Sequence, residues 1–384
     1  MNGQASPEVD GPRRFLASRR ASLVGLVLVG VALMFLPYVL GLGGGQGWVR
    51  LVNFALLYVM LALGLNIVVG FAGLLDLGYI AFYAVGAYTW ALLASPHFGL
   101  HLPFWVILPA GVAVACLFGV LLGAPTLKLR GDYLAIVTLG FGEIVRIFMT
   151  NLNAPVNITN GPQGINRIDP LTIGSFSFAK TESFQFDFFG LLAEPVSWRL
   201  TGPDKYYYLL VVLALVIMAL CIRLQTSRVG RAWEAVREDE VAANAMGINT
   251  RNIKLMAFAM GASFGGLAGG LFASMQRYIS PESFSLLESV SVLCMVVLGG
   301  MGHVPGVVFG AILLAVFPEV LRHLVVPLQE AVFGAVVLDP EAIRMMLFGI
   351  AMVAVMLWRP EGLWPSPVRK RELAALEEDG GSKA

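Results

Sequence analysis

Long apolar runs separated by short polar stretches recur along almost the whole of this 384-residue sequence. A helix needs about 20 predominantly apolar residues to cross the hydrocarbon core of a bilayer. Runs near that length predict about ten membrane-spanning segments: 21–40, 48–70, 74–95, 103–127, 132–150, 205–224, 253–274, 286–301, 304–325 and 341–358. Because backbone amides find no water inside lipid, the spanning elements should be helices. The predicted fold is therefore an all-α, polytopic membrane helix bundle.

Two of the predicted spans differ from an ordinary membrane helix. The stretch 74–95 contains Asp76 and several glycines, and 286–301 is short and runs into the glycines Gly299, Gly300 and Gly302. Both are expected to be short or discontinuous. The pattern leaves open whether each crosses fully or re-enters on the same side.

Composition agrees with a membrane protein. Hydrophobic residues form 57% of the chain and charged residues 13%, whereas soluble domains carry roughly 25% charged residues. The formal net charge of +1 gives no reason to expect nucleic acid as a partner. The cysteines Cys116, Cys221 and Cys294 lie singly in apolar sequence, so they predict neither a disulfide framework nor a metal site.

Basic residues predict the orientation, because loops rich in Lys and Arg face the cytoplasm. About ten crossings place the basic regions on one side: Arg13, Arg14, Arg19 and Arg20; Lys128 and Arg130; the loop 223–254; and 369–371. Both termini, 1–20 and 366–384, are then cytoplasmic segments flanking a transmembrane domain over 21–365. A cleaved signal peptide is the alternative for 21–40, but its apolar core would be only about 7–15 residues long.

The long loop 151–204 lies on the opposite, extracytoplasmic side in this topology. It begins with a turn cluster at 160–164, and its later phenylalanines alternate with polar residues: Phe176, Phe178, Phe184, Phe186 and Phe188. A period of two is typical of strands, so a short hairpin with one aromatic face is predicted. The hairpin could lie at the membrane interface or could offer a docking surface to an external partner.

Small residues recur at every fourth position between 257 and 273, at Gly261, Gly265 and Gly269 among others. At helical spacing they form a smooth face that another helix can approach closely. They predict a packed bundle and carry no information about a ligand.

The loop 227–252 is charged but rich in helix formers, and it reads SRVGRAWEAVREDEVAANAMGINTRN. Its apolar residues recur near helical spacing: Ala232, Val236, Ala243 and Met246. Gly247 provides a helix stop, and Asn249 a start for the next span. We therefore expect one short amphipathic helix between two spans. Helices that lie on lipid favour Lys and Arg, so the mixture of acids and bases here favours docking on another protein.

The same loop resembles the coupling loop of permeases of ATP-binding-cassette (ABC) importers. Their pattern is EAA, three residues and then Gly; residues 241–247 match it with Val241 in place of the Glu. Longer blocks resemble the branched-chain amino-acid permease family, LivM-type: GLLDLGYIAFYAVGAY (73–88), GDYLAIVTLGFGEIVRI (131–147), GRAWEAVREDEVAANAMGI (230–248), SPESFSLLESVSVLCMVVLGGMG (280–302) and LWRPEGLWP (357–365). The resemblance extends from about residue 48 to residue 365.

The resemblance implies a permease subunit in a bacterial inner membrane, surrounded by lipid. Its implied partners are a second related permease, two ATPase subunits and an extracytoplasmic solute-binding protein. The implied coupling-loop residues, all cytoplasmic, are Arg231, Glu234, Arg237, Glu238, Asp239, Val241, Ala242, Ala243 and Gly247. The sequence has no GxxxxGK[ST] phosphate loop, so we expect no cofactor on this chain and ATP hydrolysis by partner subunits.

The implied cargo is leucine, isoleucine and valine. Related permeases carry urea, short amides or other amino acids, so these remain alternatives. A secondary transporter driven by an ion gradient is a different class, and the charged loop argues against it. An enzyme is not expected, because the chain has no recognisable nucleophile–base or metal-ligand cluster.

Ionisable residues at membrane depth are functional candidates. The candidates for the translocation pathway are Asp76, Tyr79, Glu143, Glu288 and Ser289. Asp76 could face a charged amino-acid headgroup at a broken helix or could cap that helix.

Other polar residues in the predicted spans have structural interpretations. Glu143 and Arg146, three positions apart, predict an ion pair, with substrate contact as the alternative. Glu288 could line the pathway or cap its helix. Asn53 and Asn66 are expected to hydrogen-bond between spans.

Overall fold

A computed structural model describes residues 32–41, 45–127, 129, 131–154, 156–174, 176–186 and 196–333, with nine single positions between 343 and 364. The predicted basic N-terminal segment, Lys128, Arg130, most of the span 341–358 and the tail 366–384 lie outside these residues. The chain divides into two compact units, Met1–Arg50 and Leu51–Ala384. The first unit contains helix α1 (Ala32–Gly41) and the start of α2.

The helices have the following bounds: α2 Gln46–Asn66, α3 Ile80–Leu93, α4 Phe104–Thr126, α5 Asp132–Asn151, α6 Gly202–Thr226, α7 Arg228–Glu238, α8 Glu240–Ala245, α9 Thr250–Gln276, α10 Leu286–Gly299 and α11 Val304–Phe333. Helix α2 continues as a π-helical turn, Ile67–Phe71. Short 3₁₀ turns occupy Gly161–Gln163 and Pro281–Phe284.

Seven helices in the described part of the chain are long and apolar enough to cross a membrane: Gln46–Phe71, Phe104–Thr126, Asp132–Asn151, Gly202–Thr226, Thr250–Gln276, Pro281–Gly299 and Val304–Leu324. Each coincides with a predicted span. The predicted span 74–95 contains only the 14-residue helix α3, which is shorter than the bilayer core needs. The chain is thus a polytopic helical protein, while the total of ten spans stays a prediction.

The loop 151–204 holds strands in antiparallel pairs. Strands β2 (Thr172–Ile173) and β3 (Phe176–Ser177) form one hairpin, and β4 (Glu182–Phe186) and β5 (Val196–Leu200) form a second. Strand β1 (Ile165–Asn166) pairs instead with β6 (Tyr278–Ile279), directly after α9. The single predicted hairpin is therefore two hairpins, and Phe188 lies outside the described residues.

The small-residue face of α9 packs against α2 and α3. A Cβ added at Gly261 would lie 2.6 Å from Val68 Cγ2, and one added at Gly269 would overlap the Tyr83 carbonyl oxygen. Helices α3 and α9 approach so closely because glycine leaves no side chain between their backbones. This contact fixes α3 beside α9 in the centre of the second unit.

The segments that connect the long helices lie at two ends of the bundle. One end, here called the charged-loop end, carries α7 and α8, and the other, the hairpin end, carries the strands. The hydrogen bond predicted for Asn53 between spans is confirmed at the hairpin end, whereas Asn66 bonds the turn between α10 and α11 at the charged-loop end. Asn53 Nδ2 donates to the Pro203 carbonyl at 2.9 Å, and Asn66 Oδ1 accepts from the Gly302 amide at 2.9 Å.

Candidate functional site

The chain leaves the helical path between the π-helical end of α2 and the start of α3. This segment, residues 72–79, is called the break. Gly73 has φ +69°, and Ala72, Leu74, Asp76 and Tyr79 are buried. Non-helical backbone at membrane depth is tolerated only where protein or enclosed water satisfies its polar groups. The groups that bond to the backbone of the break therefore show which parts of the protein hold it in place.

Side chains from two other helices hold the middle of the break. Thr138 Oγ1 on α5 accepts from the Leu77 amide at 3.0 Å. Ser289 Oγ on α10 donates to the Leu77 carbonyl at 2.6 Å. One residue of the break is thus bonded on both backbone groups by α5 and α10. Any change in the spacing of these helices changes the break.

Asp76 is fully buried and lies just before α3. Its Oδ1 accepts from the Gly78 amide at 2.8 Å, which forms an Asx turn within the break. The N-cap of α3 is Tyr79 and receives no side-chain cap bond, so Asp76 does not cap that helix. Its Oδ2 is buried without a hydrogen-bond partner among the described residues and retains capacity for a further polar group.

Tyr79, at the end of the break, is also fully buried. Its hydroxyl donates to the Gly261 carbonyl of α9 at 2.9 Å, and its ring contacts Phe82 edge to face. The bond to Gly261 attaches the start of α3 to the small-residue face of α9. Its hydroxyl is engaged by this backbone contact.

The two glutamate candidates have different surroundings. Glu288 Oε2 on α10 accepts from the Tyr58 hydroxyl on α2 at 2.9 Å and is half-buried. Glu143 Oε2 accepts from Arg146 Nε at 2.9 Å within α5, which is the ion pair predicted from their spacing. Ser289, next to Glu288, joins α10 to the break. Among the described residues, Glu143 makes no hydrogen bond to the break.

The loop 227–252 contains two helices, so the prediction of one helix over 231–247 is wrong. Helix α7 ends before Asp239, whose Oδ1 accepts from the amides of Val241 at 2.8 Å and Ala242 at 3.1 Å. Asp competes with helix backbone for hydrogen bonds and favours such capping positions. It ends one helix and starts α8.

The predicted end and restart of the helices are both present. Gly247 has φ +89°, its amide donates to the Asn244 carbonyl, and the Ile248 amide donates to the Ala243 carbonyl. These two bonds form a Schellman motif, in which glycine tolerates the left-handed conformation. Asn249 Oδ1 then accepts from the Asn252 amide at the start of α9.

One side of the α7–α8 pair is fixed to the bundle. Trp233 is buried, stacks on Phe71 of the π turn and donates from Nε1 to the Ile253 carbonyl at 2.8 Å. Lys254 Nζ of α9 bonds Glu240 Oε1 at 2.6 Å. Sequence reasoning singled out neither Trp233 nor Lys254. The presence of a tryptophan in a charged loop was the feature of the sequence that could have identified Trp233.

The other side of the pair carries exposed side chains. Val241 is 66% exposed and Met246 is 85% exposed. Met246 was expected on the same face as Val236 and Ala243, which are buried. It is instead the C-cap residue that follows the six-residue helix α8, where the helical repeat ends. Exposed apolar side chains among the charges of Arg231, Glu234 and Glu238 form a surface suited to a protein contact.

The predicted residues therefore form two groups with a connection between them. The loop residues cluster at the charged-loop end, and Asp76, Tyr79 and Ser289 meet at the break. The connection is Arg237, whose Nη1 donates to the Gly70 carbonyl of the π turn at 2.7 Å.

The chain matches one family over residues 47–356, described as "Branched-chain amino acid transport system / permease component". It is 44% identical over 366 residues to the "High-affinity branched-chain amino acid transport system permease protein LivM" of Escherichia coli (strain K12), covering 93% of this chain and 79% of that protein. It is 42% identical over 374 residues to the protein of that name from Salmonella typhimurium, covering 95% and 81%.

A more distant relative carries a different subunit name. The permease protein LivH of Salmonella typhimurium is 24% identical over 264 residues, covering 67% of this chain and 80% of that protein. No solved structure matches the chain.

Proposed function

Because this chain belongs to the branched-chain amino acid transport permease family, we propose that it forms one half of the membrane pathway of an ABC importer for leucine, isoleucine and valine. A second, LivH-like permease forms the other half. The observation that carries the proposal, besides the similarity, is the α7–α8 pair. It is fixed on one side to the end of a discontinuous membrane helix and exposes an apolar and charged surface on the other.

The exposed side of this pair is the proposed ATPase contact. Val241 and Met246 supply apolar contact area, and Arg231, Glu234 and Glu238 supply charges that set orientation. The α7–α8 pair thus acts as the coupling helices. ATP binding and hydrolysis occur on two partner subunits, and the permease converts their closure into movement of its helices.

The proposed topology has about ten spans in a bacterial inner membrane, with both termini in the cytoplasm. The charged-loop end is then cytoplasmic. The hairpins of loop 151–204 lie on the opposite side, where a solute-binding protein delivers the amino acid. This arrangement places the loops that are rich in Lys and Arg on the cytoplasmic side.

The proposed pathway runs beside the break. Asp76, with one unpartnered buried oxygen, can bind the ammonium group of a passing amino acid, and Glu288 lies next to Ser289 on α10. Leucine, isoleucine and valine differ by a methylene or its placement, which is worth about 1–3 kcal/mol of discrimination. Selectivity therefore belongs mainly to the solute-binding protein.

Reconstitution of the whole importer tests the proposal. The permease pair, the ATPases and the binding protein are placed in liposomes, and uptake of radiolabelled leucine is measured with ATP or a non-hydrolysable analogue. Uptake should require ATP and every subunit. Uptake by this chain alone under an ion gradient would contradict the proposal. ATP-driven uptake of urea but not of leucine would keep the architecture and replace the cargo.

A further inference from the structure

Arg237 is the residue of α7 that reaches the end of α2. Its Nη1 donates to the Gly70 carbonyl at 2.7 Å. Its methylene groups pack on Gly73 at the start of the break, where a Cβ would lie 2.7 Å from Arg237 Cγ. The side chain therefore contacts the residues immediately before and after the point where α2 stops being helical.

A guanidinium suits this position for physical reasons. The last carbonyls of a helix have no partner in the next turn and carry the negative end of the helix dipole. A π turn makes longer-range bonds than an α-helix and often occurs at functional sites. Arginine presents a charged, planar donor with fixed geometry, so its hydrogen bond to a carbonyl is stronger than a neutral one and more directional.

The same end of α2 is also bonded to the turn between α10 and α11. Gly302 donates from its amide to Asn66 Oδ1 at 2.9 Å and accepts from Gln225 Nε2 of α6 at 3.1 Å. Gly302 has φ +81°, and a Cβ there would lie 3.4 Å from Arg237 Nη1. The end of α2 is thus held by the α10–α11 turn, which is itself bonded to α6, and by α7. Helix α7 contributes the Trp233 ring stacked on Phe71 and the hydrogen bond from Arg237.

A cavity of about 170 Å³ lies on the other side of Arg237, between α7–α8 and the break. Its lining includes Leu75 and Leu134 as well as Val236 and Glu240. The contacts of α7 with the end of α2 and the break lie in the Arg237 side chain, at the edge of this cavity, and in the stacking of Trp233 on Phe71.

We propose that Arg237 is a positioning residue that couples displacement of α7–α8 to the π-helical end of α2 and hence to the break. This inference rests on the proposed function. When the ATPases move α7, the Gly70 carbonyl follows the guanidinium, and the break changes its position against Thr138 and Ser289. Arg237 touches neither ATP nor the amino acid in this mechanism.

The first experiment measures leucine transported per ATP hydrolysed by the reconstituted importer. Arg237→Met removes the donor and keeps a long apolar stem; this ratio should fall about tenfold while ATP hydrolysis persists, as expected for loss of a charged hydrogen bond. Arg237→Lys should restore part of the ratio. Arg228→Met is the matched control, because Arg228 is an exposed arginine of the same helix outside the proposed ATPase contact, and it should leave this ratio unchanged.

A second experiment reports on the break itself. Leu75, which lines the cavity, is replaced by Cys after the three native cysteines are changed to Ser. The rate of maleimide labelling in the full importer is compared with and without a non-hydrolysable ATP analogue. The nucleotide should change the rate when Arg237 is present and should lose this effect in Arg237→Met. Where the Met variant does not assemble, Arg237→Gln is used in both experiments.

The outcomes separate this inference from the proposed function. An importer with native Arg237 and no ATP-driven uptake overturns the proposed function and this inference with it. A native importer that transports leucine, together with an Arg237 variant that keeps the same transport ratio and the same nucleotide-dependent labelling, overturns this inference alone.

Discussion

The Ser289 hydroxyl donates to the Leu77 carbonyl at 2.6 Å, which joins two stretches of chain 212 residues apart. Leu77 is bonded on its other backbone group by Thr138. Two hydroxyl side chains thus replace the intrahelical hydrogen bonds that the chain gives up between α2 and α3. The break is therefore a specific structure, and its hydrogen-bond partners can be tested separately from the charged loop 227–252.

Thr138→Val should destabilise the break. The substitution keeps the shape of the side chain but removes the acceptor for the Leu77 amide, and an unsatisfied buried donor costs about 1–3 kcal/mol. We expect a lower unfolding temperature in detergent and reduced uptake. The control is Thr150→Val on the same helix, because the Thr150 hydroxyl donates to the Arg146 carbonyl of its own helix. Equal unfolding temperatures for the two variants would contradict the role given to Thr138.

Gly269→Ala should disrupt the contact between α3 and α9. An added Cβ would overlap the Tyr83 carbonyl oxygen, and overpacking of a tight contact typically costs about 1–3 kcal/mol. Gly140→Ala is the control, because a Cβ at Gly140 meets no atom within 4 Å. Unfolding temperature and the yield of monodisperse protein in detergent measure both variants. If Gly269→Ala is as stable as Gly140→Ala, helices α3 and α9 are not held as closely as described.

Hydropathy located the long helices well, because each carries its own signal in about 20 consecutive residues. It could not locate the break. Apart from Asp76, the residues of the break are as apolar as the helices around it, and what makes the break possible comes from Thr138 and Ser289, distant in sequence. Asp76 and the neighbouring glycines were the only local signal, and they predicted a discontinuity without its bounds.

The charged loop 227–252 likewise has features that local sequence predicts and features that it does not. Gly247 and Asn249 were interpreted correctly because helix stops and starts depend on local chemistry. The interruption at Asp239 was missed, since the charged residues around it fit a continuous helix equally well. The bond from Arg237 to Gly70 spans 167 positions, and no pattern within the loop indicates which arginine reaches the bundle.

Met246→Asp should weaken ATPase binding without unfolding the permease. Met246 is 85% exposed at the end of α8, so the change leaves the packing of the isolated chain almost unaltered. A charge placed in the centre of an apolar contact commonly costs about 2 kcal/mol or more. Co-purification with the ATPases should fall, while the unfolding temperature stays constant. Met246→Leu, which keeps an apolar side chain, is the control, and undiminished ATPase binding by Met246→Asp would place the contact elsewhere.

The ion pair between Lys254 and Glu240 should hold α8 against the start of α9. Lys254 is only 6% exposed and lies 2.6 Å from the carboxylate, so salt screens this pair less than a surface pair. Removing one partner leaves the other buried and poorly solvated. We therefore expect Lys254→Met to lower the free energy of local opening of the loop by about 1–3 kcal/mol. Amide hydrogen exchange across 239–249 measures this opening.

The double variant Lys254→Met with Glu240→Gln distinguishes a direct interaction from two independent effects. If the pair interacts directly, the double variant should change the free energy of opening by less than the sum of the changes in the two single variants. The difference, the coupling energy, should be about 1–3 kcal/mol. Arg251→Met is the matched control on the same turn of α9, because Arg251 is exposed and its loss should change opening by no more than about 0.5 kcal/mol. Additive changes in the free energy of opening would show that Lys254 and Glu240 stabilise the loop separately. Helix α8 would then depend on Trp233 and Arg237 of α7 for its attachment to the bundle.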